Sequence, residues 1–139
     1  MPMVRVYVPL DPAVLEDLRG RGEIGPVPVR AHAAPAGPGS SSAKDDEERE
    51  YAAWSAAAAA AAERAGQGRR RVVASADVDT AVVSRRDGAA DVTEVELDAV
   101  VALSRVASFH IDEQPGGDAA DLLWYDVTEL DDVITLATP

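Results

Sequence analysis

Residues Ser42 to Ala65 constrain the fold most. An acidic cluster there runs into Tyr51, Trp54 and seven consecutive alanines, Ala56 to Ala62. Alanine has the highest intrinsic helix propensity, and no proline or glycine interrupts the run. Ser42 followed by Asp45 has the Ser-x-x-acid spacing of a capping box, and Asp45, Asp46, Glu47 and Glu48 set negative charge at the positive end of the helix dipole. Arg64 falls in the last turn, and Gly66 and Gly68 are candidate stops. Tyr51, Trp54, Ala58, Ala61 and Ala65 recur at three- and four-residue spacing and so share one face. An alanine face lets a helix approach a sheet closely. Tyr51 and Trp54 then read as packing anchors at its wider end, with a ligand-stacking pair as the alternative.

Strand patterns flank this helix. Met3–Pro9 alternates, with Val4, Val6 and Val8 on one side and Arg5 and Tyr7 on the other. Asp11 and Pro12 start a short helix through Val14, Leu15 and Leu18, ended by Gly20 or Gly22. Pro26 and Pro28 demote Val27–Ala33 to an edge strand or extended segment, and residues 34–41 read as a mobile loop. Arg71–Val78 is a strand, Asp87-Gly88 a turn and Val92–Leu97 a further alternating strand. Asp98 caps a predicted short helix over Ala99–Leu103. On Val106–Asp112, Ala107, Phe109 and Ile111 oppose Ser108, His110 and Asp112. Gln114–Asp118 is a turn, Leu122–Val127 the last strand, and Thr128 with Asp131 a capping box for the final helix. The expected fold is a single α+β domain over residues 1–139: a mostly antiparallel sheet with helices packed on one face, ferredoxin-like or a related sandwich.

Composition excludes several function classes. Twenty-five acidic against 13 basic residues give a net charge of -12, which repels phosphate backbones and anionic membranes, so neither nucleic acid nor membrane is an expected partner. Arg69, Arg70 and Arg71 read as a cluster complementing a helix end. The absence of cysteine removes disulfides, thiolate metal sites and a cysteine nucleophile. No segment reaches the roughly 18 apolar residues that span a bilayer, and the N-terminus is a strand pattern, so a soluble cytoplasmic protein is expected.

Met3-Val-Arg-Val-Tyr-Val-Pro-Leu, Asp45-Asp-Glu-Glu-Arg-Glu-Tyr-Ala-Ala, Arg70-Arg-Val-Val, Phe109-His-Ile-Asp and Leu122-Leu-Trp-Tyr, in that order, resemble the blocks of a small actinobacterial family of unknown function. The chain departs from that pattern in a shorter stretch between the last two blocks. The resemblance implies a cytoplasmic context and transfers no catalytic residue.

Signatures of nucleotide, serine-hydrolase or zinc-protease chemistry are missing, and two histidines cannot build a multi-histidine metal site. No metal or cofactor is expected. The candidate catalytic pair is His110 with Asp112, an imidazole near a carboxylate that can serve as a general base. Residues two apart on a strand lie about 6.5–7 Å apart, so this is a neighbourhood and not a built-in hydrogen bond. The plain alternative is a half-exposed sheet histidine. The candidate ligand-binding face carries Arg5, Tyr7, Ser108 and His110, joined by Tyr125, and either binds a small molecule or protein partner or pairs with a second copy as a homodimer. His32 reads as an exposed loop residue. A binding or protein-interaction module is the expected function, and a small enzyme using His110 as general base the alternative.

Overall fold

The computed structural model describes residues 2–35, 43–66, 69–85, 91–115 and 122–138. The capping serine Ser42, the stop Gly68, the Asp87-Gly88 turn, most of the 34–41 loop and the Gly116–Asp118 part of the later turn lie outside them.

Alternation at Met3–Leu10 (β1) and Val72–Asp79 (β4) makes two eight-residue strands, which pair antiparallel along their whole length from Met3↔Asp79 to Leu10↔Val72. Around this pair stand Val29–His32 (β3), Val83–Arg85 (β5), Glu94–Leu97 (β6), Val106–Ile111 (β8) and Leu123–Asp126 (β9). The seven-stranded sheet runs β5-β6-β3-β1-β4-β8-β9, with every pairing antiparallel. Glu23–Ile24 (β2) and Val101–Ala102 (β7) form a separate two-stranded ribbon. Among the described residues the α-helices are Pro12–Arg21 (α1), Ala43–Ala65 (α2) and Leu130–Ala137 (α3).

The α+β class and the antiparallel sheet agree with the sequence. Of a ferredoxin-like arrangement one element is present: β3 and β4 flank β1, are both antiparallel to it and are joined by α2, a split β-α-β unit. The helices, however, divide between the two faces. Leu15 and Leu18 of α1 and Leu130, Val133 and Ile134 of α3 join Val6, Val8, Leu10, Ala74, Ala76, Phe109 and Ile111 in the main core. The intervening residues Tyr7 and Val73 point the other way, where Ala57, Ala61 and Trp54 of α2 meet them.

Four local expectations are corrected. β3 lies inside the sheet between β1 and β6, because Pro28 precedes the first paired residue and removes no ladder hydrogen bond. Ala99–Leu103 does not form an α-helix: Val101 and Ala102 pair with β2 and a 3₁₀ turn, Leu103–Arg105, follows. The capping box is built by Asp126 and Glu129, not Thr128 and Asp131, with Thr128 donating its N–H to Asp126 at 3.0 Å. On α2 the buried residues are Ala53, Ala57, Ala58, Ala61 and Ala65, while Tyr51 is 60% exposed. Gly66 ends α2 as expected, at φ 80°.

Close approach of α2 rests on methyl-sized side chains at Ala57 and Ala61, both fully buried against Val73. Ala61→Leu is therefore expected to destabilise the fold by about 1–3 kcal/mol in urea unfolding. Ala59→Leu, on the exposed side of the same helix, should change stability by no more than about 0.5 kcal/mol. Equal effects would contradict this placement of α2.

Candidate functional site

Four of the residues expected to line one sheet face, Arg5, Tyr7, Ser108 and His110, do share it. Pairing places Tyr7 of β1 opposite Ser75 of β4, Ser75 opposite Ser108 of β8, and Val73 opposite His110. Arg5 lies one pleat along β1, opposite Asp77. Instead of an open face, these side chains form the floor beneath the N-terminal half of α2. Trp54 reaches down from the helix and packs edge-on against Tyr7, at 5.9 Å between centroids, and against His110 at 4.6 Å.

Under Trp54, the His110 Nε2 is 3.0 Å from the hydroxyl oxygens of both Ser75 and Ser108. Burial, with a smaller contribution from the nearby Arg5 guanidinium, lowers the imidazole pKa from 6.5 to about 4. The ring is thus neutral at pH 7. Serine oxygen and imidazole nitrogen at hydrogen-bond distance resemble a nucleophile with its base. Yet Ser75 and Ser108 are only 2% and 3% exposed. Asp112 does not orient the ring. Its carboxylate accepts from Arg71, at 2.7 Å from the backbone N–H, 2.9 Å from Nε and 2.6 Å from Nη2, and Asp112 is 1% exposed. The pair His110–Asp112 proposed from spacing is therefore not assembled, because the strand ends at Ile111 and Arg71 captures the carboxylate.

Arg71 and Arg70 are engaged within the fold. Arg70 donates to the Glu113 and Leu136 carbonyls, tying the start of β4 to the ends of β8 and α3. His32 is not an exposed loop residue: it is buried on β3, with Nδ1 2.8 Å from the Thr93 hydroxyl. Tyr125 pairs with Phe109 and packs against the main core, away from the candidate face.

Arg5 makes a bidentate pair with Asp77, Nε to Oδ1 at 2.7 Å and Nη2 to Oδ2 at 2.9 Å. This hydrogen bond holds the Asp77 carboxyl below its ordinary pKa and raises that of Arg5. Beside it Glu50, on α2, is pushed up by burial; Arg5 opposes the shift and Asp77 adds to it. Its Oε2 is buried without a hydrogen-bond partner. Burial, and then Glu50, also raises the Tyr7 hydroxyl.

Tyr7, Glu50, Tyr51 and Trp54, with Asp46 and Glu47, line an open hollow of about 380 Å³. Glu50 carries no signal of its own in the sequence, where it is one more carboxylate of an acidic helix start. At the other end of α2, clefts of about 160 and 230 Å³ share Pro9, Arg30 and Arg64. No cluster of three or more potential metal ligands occurs among the described residues. None of the described helices is long and apolar enough to cross a membrane.

Two outcomes follow from this geometry. Asp112→Ala removes a buried carboxylate that accepts three hydrogen bonds from the partly buried Arg71 and should cost about 3–5 kcal/mol in urea unfolding; a loss below about 1 kcal/mol would contradict this tie. For His110, a folded-state pKa below the unfolded value means that the unfolded chain binds more protons between pH 6.5 and about 4. Its contribution is complete above that window and is lost as pH falls through it, on the order of 1–2 kcal/mol after discounting for partial exposure. His32, also lowered by burial, acts in the same direction and Glu50 in the opposite one, so the difference between wild type and His110→Gln isolates the His110 part. The unfolding free energy of His110→Gln should vary less steeply with pH across the window; parallel profiles would contradict the assignment.

A family model described as a family of unknown function, DUF6912, matches residues 4–134. No curated protein and no solved structure matches the chain.

Proposed function

We propose that this chain, which belongs to the DUF6912 family of unknown function, is a non-catalytic binding module that engages a protein partner through the hollow at the N-terminal half of α2. The observation carrying this reading is the 60% exposure of Tyr51 beside Tyr7 and Trp54 in an open, aromatic-lined depression. Aromatic side chains supply large contact area at small conformational cost and dominate binding hot spots. An open depression suits a partner's side chains better than a small molecule, which needs enclosure over most of its surface. The net charge of -12 argues against nucleic acid, and the cysteine-free sequence fits a cytoplasmic setting.

A homodimer is a further form of the same proposal. Because α2 covers the candidate sheet face over β1, β3 and β4, a second copy would meet α2 itself and the hollow's rim.

The alternative reading, a small enzyme with His110 as general base, has one observation in its favour: the 3.0 Å approach of Ser75 and Ser108 to Nε2. Against it stand the burial of both serines, the capture of Asp112 by Arg71 and a base too weak to take up a proton near neutrality. Labelling by a fluorophosphonate that disappears in Ser75→Ala or Ser108→Ala would favour the enzyme.

Selection of a random peptide library on the immobilised protein tests the module. Enriched peptides are expected to bind wild type about tenfold more tightly than Tyr51→Ala, a loss typical of an aromatic hot spot. Ser108→Ala should change their affinity by less than about twofold, since that hydroxyl lies beneath Trp54. Absence of enrichment, or peptides indifferent to Tyr51→Ala, would overturn the proposal.

A further inference from the structure

The chemistry of the hollow points to one kind of partner group. Its walls are the aromatic rings of Tyr7, Tyr51 and Trp54, and its charged lining is entirely carboxylate: Asp46, Glu47 and Glu50. Asp46 is paired with Arg49 on the same helix. Glu50 is the carboxylate next to the rings, with one oxygen already withdrawn from water and unpartnered. Its neighbour Arg5 turns one edge of its guanidinium, Nε and Nη2, to Asp77, and the group of Arg5, Asp77 and Glu50 carries one excess negative charge when all are ionised. A carboxylate that has lost part of its hydration before any ligand arrives adds little further desolvation cost on meeting a cation. Tyr and Trp rings attract the same cation through their electron-rich faces. An anionic or neutral polar group gains neither contact.

We infer that the hollow is a docking site for a basic side chain, arginine or lysine, on an exposed segment of a protein partner. This rests on the binding-module reading and adds the chemistry of what is bound. The strongly acidic chain favours the same partner at longer range, because a basic segment is drawn toward a surface of net charge -12.

The test uses the full chain carrying Trp124→Phe, which leaves Trp54 as the sole tryptophan reporter; Trp124 is 64% exposed on β9. The probe is the blocked peptide Gly-Gly-Arg-Gly-Gly-Arg-Gly-Gly, with a matched peptide carrying neutral citrulline for arginine and one carrying lysine. A saturable change in Trp54 emission is expected with the arginine or the lysine peptide. The citrulline peptide should bind about tenfold more weakly, and Glu50→Gln and Tyr51→Ala should each weaken the basic peptide by a similar factor. Raising salt from about 0.05 to 0.5 M should weaken binding several-fold. Glu50→Gln removes a charge that burial disfavours, so its melting temperature should equal or exceed that of the parent, separating loss of binding from loss of fold. Equal binding of the citrulline peptide, or no effect of Glu50→Gln, would overturn the inference. If library-selected peptides need Tyr51 but neither basic peptide binds, the cation inference falls and the binding module stands. If no peptide of either kind depends on Tyr51, both fall.

Discussion

The close seating of α2 on the sheet determines the character of everything beneath it. Alanine at positions 57 and 61 allows the helix to rest directly on Val73, and Trp54 then fills the space over Tyr7 and His110. A helix with larger side chains at those two positions would stand farther off, since well-packed interfaces tolerate little added volume. Water would then enter over Ser75, Ser108 and His110. Dehydration of that layer lowers the His110 pKa, raises that of Glu50 and turns a polar sheet face into a floor.

Polar groups in the layer differ in how they are compensated. Asp77 and Arg5 satisfy each other in a bidentate pair, and His110 has two serine hydroxyls. Glu50 has a buried oxygen with no such partner. An uncompensated carboxylate is costly to keep and is therefore the group whose energy changes most when a cation approaches. Asp112 shows the opposite case: three donors of Arg71 surround its carboxylate, which makes it a structural tie between β4 and the end of β8.

Much of this was legible in the chain. Period-two alternation in residues 3–10, 72–78 and 106–111 located the long strands and assigned their faces, and the alanine run with its acidic start located α2. What alternation cannot give is the side on which a helix lands. Arg5, Tyr7, Ser108 and His110 read as an open face because their covering comes from a helix whose own apolar stripe is small and methyl-lined. The stripe itself was misjudged at Tyr51, where the helix face turns away from the sheet, leaving that ring in solvent. Arg71 and Asp112 are 41 positions apart, so their pairing depended on the register of β4 with β8 and left no local signal. His32 was read as exposed because its neighbours are alanine and proline; pairing with both Tyr7 and Glu94 carries it into the sheet interior. Val100 and Val101, β-branched and poor helix formers, were the available warning against a helix at Ala99–Leu103.

The central claim is that α2 seals the polar layer and makes His110 a neutral structural group. Nuclear magnetic resonance titration of the two imidazoles, assigned with His32→Gln, measures this directly. The account predicts that the His110 resonances stay those of a neutral ring from pH 8 down to about 5 and move with a midpoint near 4. A midpoint at the ordinary value of 6.5 would mean that the ring is hydrated, that Trp54 does not close the layer, and that His110 remains available as a base near neutral pH.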